Sequence, residues 1–232
     1  MARLSRLVVP GLAHHVVHRS VPSVALFADD ADHQLFKAAL RRSARENAVA
    51  LHAYVLLPNE VQLLATPSEP QSLSRMMQAL ARFYAPAFNQ RRQRTGALWQ
   101  GRFRAAPVGG ADELLLCMRY IEQAPSRSGW HGAAVDFPWS SARAHVGGTG
   151  DDLLAGAPSA SGYWTLGNTP FERERTYGRL LNESLGPAEL AALETSTLKG
   201  WAYGSGEFIA SLSAETPRRL AAKPRGRPRR SE

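Results

Sequence analysis

The pattern of apolar and polar positions in the first 125 residues predicts four strands and three helices. Short apolar runs of strand length occupy residues 11–20, 49–57, 60–66 and about 103–108. In three longer segments, apolar side chains recur every three to four residues, which is typical of helices. These helices are expected to start near Asp30 or Asp32, near Ser72 or Ser74, and near Asp112.

The order of these elements is strand, helix, strand, strand, helix, strand, with the third helix appended. That order is typical of the ferredoxin-like, split βαβ arrangement of class α+β. Its antiparallel sheet carries helices on one face, so we expect the opposite face to be open to a ligand. A turn at Pro58 and Asn59 joins the second and third strands into a predicted hairpin.

The pattern changes after residue 146, which suggests how the chain is organised. We expect residues 1–146 to form the main domain and residues 147–168, rich in Gly, Ser and Ala, to form a linker. Residues 169–215 read as helical in pieces and predict a small helical appendage. Residues 216–232 contain little apolar surface and predict a disordered basic tail.

Charge and composition narrow the class of partner. The net charge of +8 favours a polyanionic partner, and lysine occurs only at Lys37, Lys199 and Lys223, so arginine carries most of the charge. The one cysteine, Cys117, excludes an intramolecular disulfide and is expected to be buried. No apolar run approaches the ~18 residues of a membrane span, and no signal peptide is read, so we expect a cytoplasmic protein without membrane contact.

Seven short segments are similar to those of the REP-associated tyrosine transposases, a branch of the HUH single-strand transposases. They read PGLAHHVVHRS, HAYVLLPNEVQLL, TGALWQGRF, RYIEQAPSRSG, FPWSS, GSGEFI and RGRPRR. Their order and spacing agree with that family over about residues 10–145, and more weakly near the C-terminus.

The resemblance implies a defined chemistry. Two strand histidines and one polar residue on a helix hold a divalent metal, which polarises a phosphate of single-stranded DNA. A tyrosine then attacks and forms a 5′-phosphotyrosine. Tyr120 in RYIEQAPSR matches the nucleophile, whereas Glu60 and Gln62 stand where the family has His-x-His, and Ala124 stands where it has asparagine.

These substitutions change what the site is expected to do. Glu60 is a good oxygen ligand and Gln62 a weak one, so the pair implies at most a weakly held Mg²⁺ or Mn²⁺. A tyrosine of ordinary pKa, about 10, is a poor nucleophile at neutral pH without a firmly bound metal. We therefore expect cleavage to be lost or weak. The alternative is that Tyr120 is a packed helix residue and that Glu60 and Gln62 lie on an exposed strand face.

Histidines and arginines supply further candidates. Pairing of strands could bring His14, His15, His18 or His52 near Glu60 and into the site. The alternative is that these histidines have only structural roles. The predicted DNA-binding residues combine basic side chains with one aromatic platform; they are Arg91, Arg92, Arg94, Trp99, Arg102, Arg104, Arg225, Arg227, Arg229 and Arg230. The last four surround an RGRP core that resembles an AT-hook. The alternatives are that Trp99 is a core residue, that the arginines at positions 91, 92 and 94 form a solvated helix end, and that the tail is only a non-specific phosphate anchor.

We therefore expect a DNA-binding protein of the REP-associated tyrosine transposase type that recognises hairpin-forming single-stranded DNA. One alternative is an active transposase that forms a 5′-phosphotyrosine through Tyr120 with an unusual Glu/Gln metal site. A second alternative is a non-enzymatic DNA-binding regulator. Both a monomer and a homodimer are compatible with the sequence.

Overall fold

The computed structural model describes residues 6–216 and 218–221. The strands in this part of the chain are β1 Ala13–Arg19, β2 Val49–Leu56, β3 Glu60–Pro67, β4 Arg104–Gly109 and β5 Tyr203–Gly204. The helices are α1 Asp30–Glu46, α2 Ser72–Arg91, α3 Ala111–Glu122, α4 Ala124–Arg127, α5 Ala142–His145, α6 Pro170–Leu181, α7 Pro187–Lys199 and α8 Gly206–Glu215. No helix within the described residues is long and apolar enough to cross a membrane.

The strands form one sheet in the order β2-β3-β1-β4-β5. Neighbouring strands are antiparallel except β4 and β5, which pair in parallel. The predicted α+β class and ferredoxin-like strand order are therefore confirmed. β5 was not predicted, because a strand of two residues is too short to show alternation.

One face of the sheet packs against α1 and α2. Phe36 and Leu40 of α1 and Tyr84 of α2 are fully buried there, together with Val16 and Leu63 from the central strands. The helical spacing of the apolar residues in α1 and α2 produces this layer, since each helix presents one apolar stripe to the sheet.

The opposite face is also covered, so the expectation of an open face was wrong. α3 and α7 pack across it, and Cys117, Ile121 and Leu193 bury their side chains against Leu64 and Val108 of the sheet. β1 and β3 are buried along both faces for nearly their whole length. Near-continuous burial of this kind requires layers on both sides of a sheet.

Helix ends differ in detail from the sequence expectations. The N-cap of α1 is Asp29, whose side chain accepts from the Asp32 amide, rather than Asp30 or Asp32. α2 begins at Ser72 as predicted and ends at Arg91, and Gln93 adopts a left-handed φ of 49° shortly afterwards. α3 ends at Glu122, and Pro125 lies in the first turn of α4, where no amide hydrogen is required.

The C-terminal segments pack closely on the sheet. The His52 ring hydrogen-bonds the Gly156 carbonyl, and the Tyr54 hydroxyl donates to Asp151 at 2.5 Å. β5 adds a strand to the sheet, and α7 lies against β4 and β1. The predicted division at residues 147–168 and 169–215 remains a prediction, while most of the predicted tail, residues 222–232, lies outside the described residues.

Candidate functional site

Glu60 and Gln62 lie on the face of β3 that α3 and α7 cover. Pairing between β1 and β3 sets Glu60 opposite Arg19 and Gln62 opposite Val17. Arg19 Nε donates to the Glu60 carboxylate at 2.7 Å, and the Gln62 amide nitrogen donates to the same carboxylate. Glu60 is half-buried and Gln62 is buried, so neither lies on the exposed strand face that was the alternative.

Tyr120 projects from α3 towards this polar cluster. Its ring meets the His15 ring edge-on, with 5.4 Å between centroids and an interplanar angle of 77°. The residue is only 8% exposed, and its hydroxyl makes no hydrogen bond within the described residues. Burial raises the pKa of Tyr120 above its ordinary value, and the charge of Arg127 opposes that rise.

His15 connects the sheet to α7. Its Nδ1 lies 2.7 Å from the Thr197 hydroxyl, and its Nε2 lies 3.4 Å from Gln62 Oε1. Burial lowers the pKa of His15 to about 4, so the ring is neutral at neutral pH. Glu194, also on α7, approaches Arg19 at 3.6 Å. The polar cluster therefore draws side chains from β1, β3, α3 and α7.

A buried carboxylate fixes the end of the tyrosine helix. Glu122 is fully buried and accepts hydrogen bonds from the Ser141 hydroxyl and from the Tyr177 hydroxyl, the latter at 2.6 Å. His145 Nδ1 lies 2.6 Å from the same carboxylate. These contacts join α3 to α5 and α6, and they set the position of Tyr120 two residues earlier in the chain.

Arg127 folds back from α4 onto Tyr120. Its guanidinium carbon lies 4.2 Å from the centre of the Tyr120 ring, and one of its nitrogens donates to the Tyr120 carbonyl. The chain turns between Gln123 and Pro125, which brings Arg127 back to Tyr120, seven residues earlier in the sequence. A cation against the face of the aromatic ring is a favourable arrangement.

The three positions at which the resemblance implies metal ligands do not fit a metal ion here. Ala124 has no donor atom and is buried. The Glu60 carboxylate is already paired with Arg19 and receives the Gln62 amide. Within residues 6–216 and 218–221, no group of three or more His, Cys, Asp or Glu side chains is arranged to hold a metal ion. The expectation of a weakly held Mg²⁺ or Mn²⁺ stays a prediction.

Three of the predicted DNA-binding arginines are engaged within the protein. Arg91 and Arg92 both pair with the fully buried Asp32, Arg92 at 2.6 Å. Arg94 donates to the Asn89 side chain and to the Ala97 carbonyl. These bonds hold the end of α2 and the loop after it.

The loop before β4 lies at the same end of the sheet as Tyr120. Trp99 is half-buried and stacks on His18, with 4.1 Å between ring centroids, in keeping with the packing role that was its alternative. Arg102 and Arg104 are exposed and make no ion pair within the described residues. Val17 of β1 pairs with Gln62 of β3 on one side and with Arg104 of β4 on the other. Because paired residues of antiparallel strands project from the same face of a sheet, Arg104 and Gln62 lie on the same face.

The remaining predicted residues, Arg225, Arg227, Arg229 and Arg230, lie outside the described residues. Sequence reasoning named His15 only as one of several histidines and missed Arg19, Arg127 and Thr197. The register of β1 against β3 would have selected His15 and Arg19, but register is not visible in a single sequence. Thr197 carried no usable signal, because it reaches the cluster only through tertiary packing.

Comparison with known proteins gives the family. The model of the IS200-like transposases matches residues 8–124, which is half of the chain and includes Glu60, Gln62 and Tyr120. This chain belongs to the IS200-like transposase family. No curated protein matches it.

One solved structure agrees with that fold. A REP-associated tyrosine transposase solved in complex with a REP hairpin is 18% identical, with a TM-score of 0.55 over 69% of this chain and 97% of that one. A candidate transposase of Deinococcus radiodurans R1 is 25% identical, covers 47% of this chain and 87% of that one, and has a TM-score of 0.36. The first likeness supports the fold; the second is too partial to carry an argument.

Proposed function

We propose that this transposase-family protein binds hairpin-forming single-stranded DNA in the cytoplasm and that its strand-cleaving activity is lost or weak. The observation that carries the proposal is the retained Tyr120 inside a cluster with no metal-ligand set at the family positions. The similar transposase bound to a REP hairpin supports a hairpin as the class of DNA.

Exposed positive charge beside the cluster supports DNA binding. Arg102, Arg104 and Arg127 are exposed, and Arg19 lies at the neighbouring strand end. Guanidinium groups donate two parallel hydrogen bonds to phosphate, so this edge suits a nucleic-acid backbone. In this proposal Arg91, Arg92 and Arg94 have a smaller part, because their side chains already hold α1, α2 and the following loop together.

Weak cleavage follows from the state of the nucleophile. Tyr120 is nearly buried, and burial raises the pKa of its hydroxyl, so the phenolate is scarce at neutral pH. The side chains around it supply two carboxylates, one amide and one neutral imidazole, and both carboxylates, Glu60 and Glu194, are paired with Arg19.

An active transposase forming a 5′-phosphotyrosine is the second candidate. The observation that favours it is the Tyr120 hydroxyl, which makes no hydrogen bond within the described residues and lies on the face that carries Glu60 and Gln62. In this version, Glu60 and Gln62 would hold a divalent ion, which would polarise the DNA phosphate.

Binding of a labelled single-stranded hairpin, followed by fluorescence anisotropy, tests the leading proposal. The native protein is expected to bind the hairpin more tightly than an unstructured strand of equal length. The double variant Arg102→Gln, Arg104→Gln is expected to bind about ten- to a hundredfold more weakly. Arg42→Gln is the matched control, because Arg42 is an exposed arginine of α1 paired with Glu46. Equal binding by all three proteins would contradict the assigned surface.

A further inference from the structure

Within the described residues, the polar cluster around Tyr120 has no set of side chains that would hold a metal ion and its positive charge. A phosphodiester brought to Tyr120 carries a negative charge that must be compensated in a partly buried place. Ala124 offers no donor, and the Glu60 carboxylate next to Gln62 would repel the phosphate if Arg19 did not pair with it. A different cation is therefore required if DNA approaches this tyrosine.

Arg127 has the position and the spare hydrogen-bonding capacity for that task. Its guanidinium stacks on the Tyr120 ring at 4.2 Å, and one donor is used by the Tyr120 carbonyl. A guanidinium has five N–H donors in a fixed plane, so most of them remain for a ligand. The stacked ring and the carbonyl bond also hold the group in place before a ligand arrives.

The charge of Arg127 is also uncompensated at short range. Within the described residues, no carboxylate oxygen lies within 4.0 Å of the Arg127 guanidinium, the limit for an ion pair. Glu60 and Glu194 act on the charge of Arg127 only from farther away. Arg19, by contrast, contacts both of those carboxylates. Of the two arginines in the cluster, Arg127 is the one whose charge is available.

The site is open to solvent on the side of Arg127. The residue is exposed and lines a cavity of about 370 Å³ between α4 and the connection from α6 to α7, together with Ser126, Asn182 and Glu183. An oligonucleotide backbone can approach from this side without displacing the sheet. The cavity carries one carboxylate, that of the exposed Glu183, against the cation.

We propose that Arg127 takes the place of the metal ion and holds one backbone phosphate of the bound DNA against Tyr120. This inference rests on the proposed function, because it assumes that DNA reaches the cluster. It assigns a specific phosphodiester contact that needs no divalent ion, and it involves no bond-forming step.

A scan of neutral phosphate replacements tests the contact. Hairpins carrying a single methylphosphonate, one linkage at a time, are titrated against native protein, Arg127→Gln and Arg143→Gln, all in EDTA. Arg143 is an exposed arginine of α5 without an ion pair in the described residues. We expect about a tenfold loss of native affinity at one linkage. Arg127→Gln should bind the unmodified hairpin about tenfold more weakly, and a methylphosphonate at that linkage should not weaken its binding further. Arg143→Gln should behave like the native protein.

The outcomes separate this inference from the proposed function. If the hairpin binds but native protein and Arg127→Gln respond alike to methylphosphonate at every linkage, the inference alone is overturned. The inference is also overturned if the two proteins differ at a linkage only when a divalent ion is added. Absence of hairpin binding would overturn both. Thermal unfolding of Arg127→Gln checks its fold; if it is unfolded, Arg127→Lys carries the test and should keep the sensitive linkage at reduced affinity.

Discussion

At the scale of single residues, the site is defined by which polar groups have partners. Tyr120 is buried without a hydrogen bond to its hydroxyl from the described residues, whereas Tyr177, on the same side of the sheet, donates to the buried Glu122 at 2.6 Å. Glu60 is paired with Arg19, and His15 is held by Thr197. We therefore expect the Tyr177 hydroxyl to contribute more to stability than the Tyr120 hydroxyl.

Removal of the two hydroxyls should have different consequences for stability. Tyr120→Phe should change the free energy of unfolding by less than about 0.5 kcal/mol, because its hydroxyl has no hydrogen bond to remove. Tyr177→Phe should cost about 1–3 kcal/mol, because a buried carboxylate loses a donor. Urea unfolding of the two variants measures both values. A large destabilisation in Tyr120→Phe would mean that its hydroxyl has a structural partner.

The histidines of β1 should make the protein sensitive to acid. Burial lowers the pKa of His14, His15 and His18 to about 4, below the 6.5 of the unfolded chain. The unfolded state therefore binds more protons, and stability falls as pH drops from about 6.5 to about 4. Each residue contributes up to roughly 1.4 kcal/mol per pH unit in that window.

The free energy of unfolding of native protein and of His18→Asn, measured between pH 7 and pH 4, checks this slope. The variant should lose stability less steeply, because one of the three protonating groups is absent. His131→Asn is the control, since His131 is exposed. Parallel pH profiles for native protein and His18→Asn would contradict the assignment.

At the scale of elements, α7 is the feature that changes the picture of the fold. It covers the sheet face that was expected to be open, and it contributes Thr197 and Glu194 to the cluster around Tyr120. Leu193 of the same helix is fully buried in the layer that contains the tyrosine helix. The C-terminal helices therefore contribute to the core as well as to the site.

Truncation of Leu193 should accordingly destabilise the whole protein. Leu193→Ala is expected to cost about 2–5 kcal/mol, as for other fully buried leucines, and Leu190→Ala, at a half-buried position, should cost less. Far-UV circular dichroism and tryptophan fluorescence should give the same midpoint, because helix and sheet unfold together. Two separate transitions would favour an independent helical appendage.

Local patterns predicted the elements better than their contacts. Alternation and helical spacing located four strands and the first three helices within a few residues, since these signals are local. The coverage of the second face by α7 depends on packing between residues 182 positions apart, such as His15 and Thr197. Comparison with the motifs of the transposase family identified Tyr120, Glu60 and Gln62. It could not show that Arg19 and Arg127 surround them.

At the scale of the whole molecule, the predicted DNA-binding arginines fall into two regions of the chain. The net charge is +8, and four of the predicted DNA-binding arginines lie in the last ten residues. The exposed Arg102 and Arg104 mark a second basic region beside the Tyr120 cluster. DNA affinity should therefore be strongly salt-dependent, with contributions from both regions.

Deletion of residues 223–232 should weaken hairpin binding and flatten its salt dependence. For every phosphate that the tail no longer neutralises, the slope of log affinity against log salt should fall by about 0.7–0.9. Anisotropy titrations at several salt concentrations measure the slope for the full chain and the truncated chain. An unchanged slope would show that the tail makes no phosphate contact.

The central claim, that a retained tyrosine lies in a DNA-binding site with little or no cleavage activity, is tested most directly by a covalent-adduct assay. The full chain is incubated with a labelled single-stranded hairpin and Mg²⁺ or Mn²⁺, and the products are separated under denaturing conditions. We predict that the hairpin is bound but that no more than a trace of protein–DNA adduct forms. Abundant adduct that disappears in Tyr120→Phe would contradict the claim and identify an active transposase.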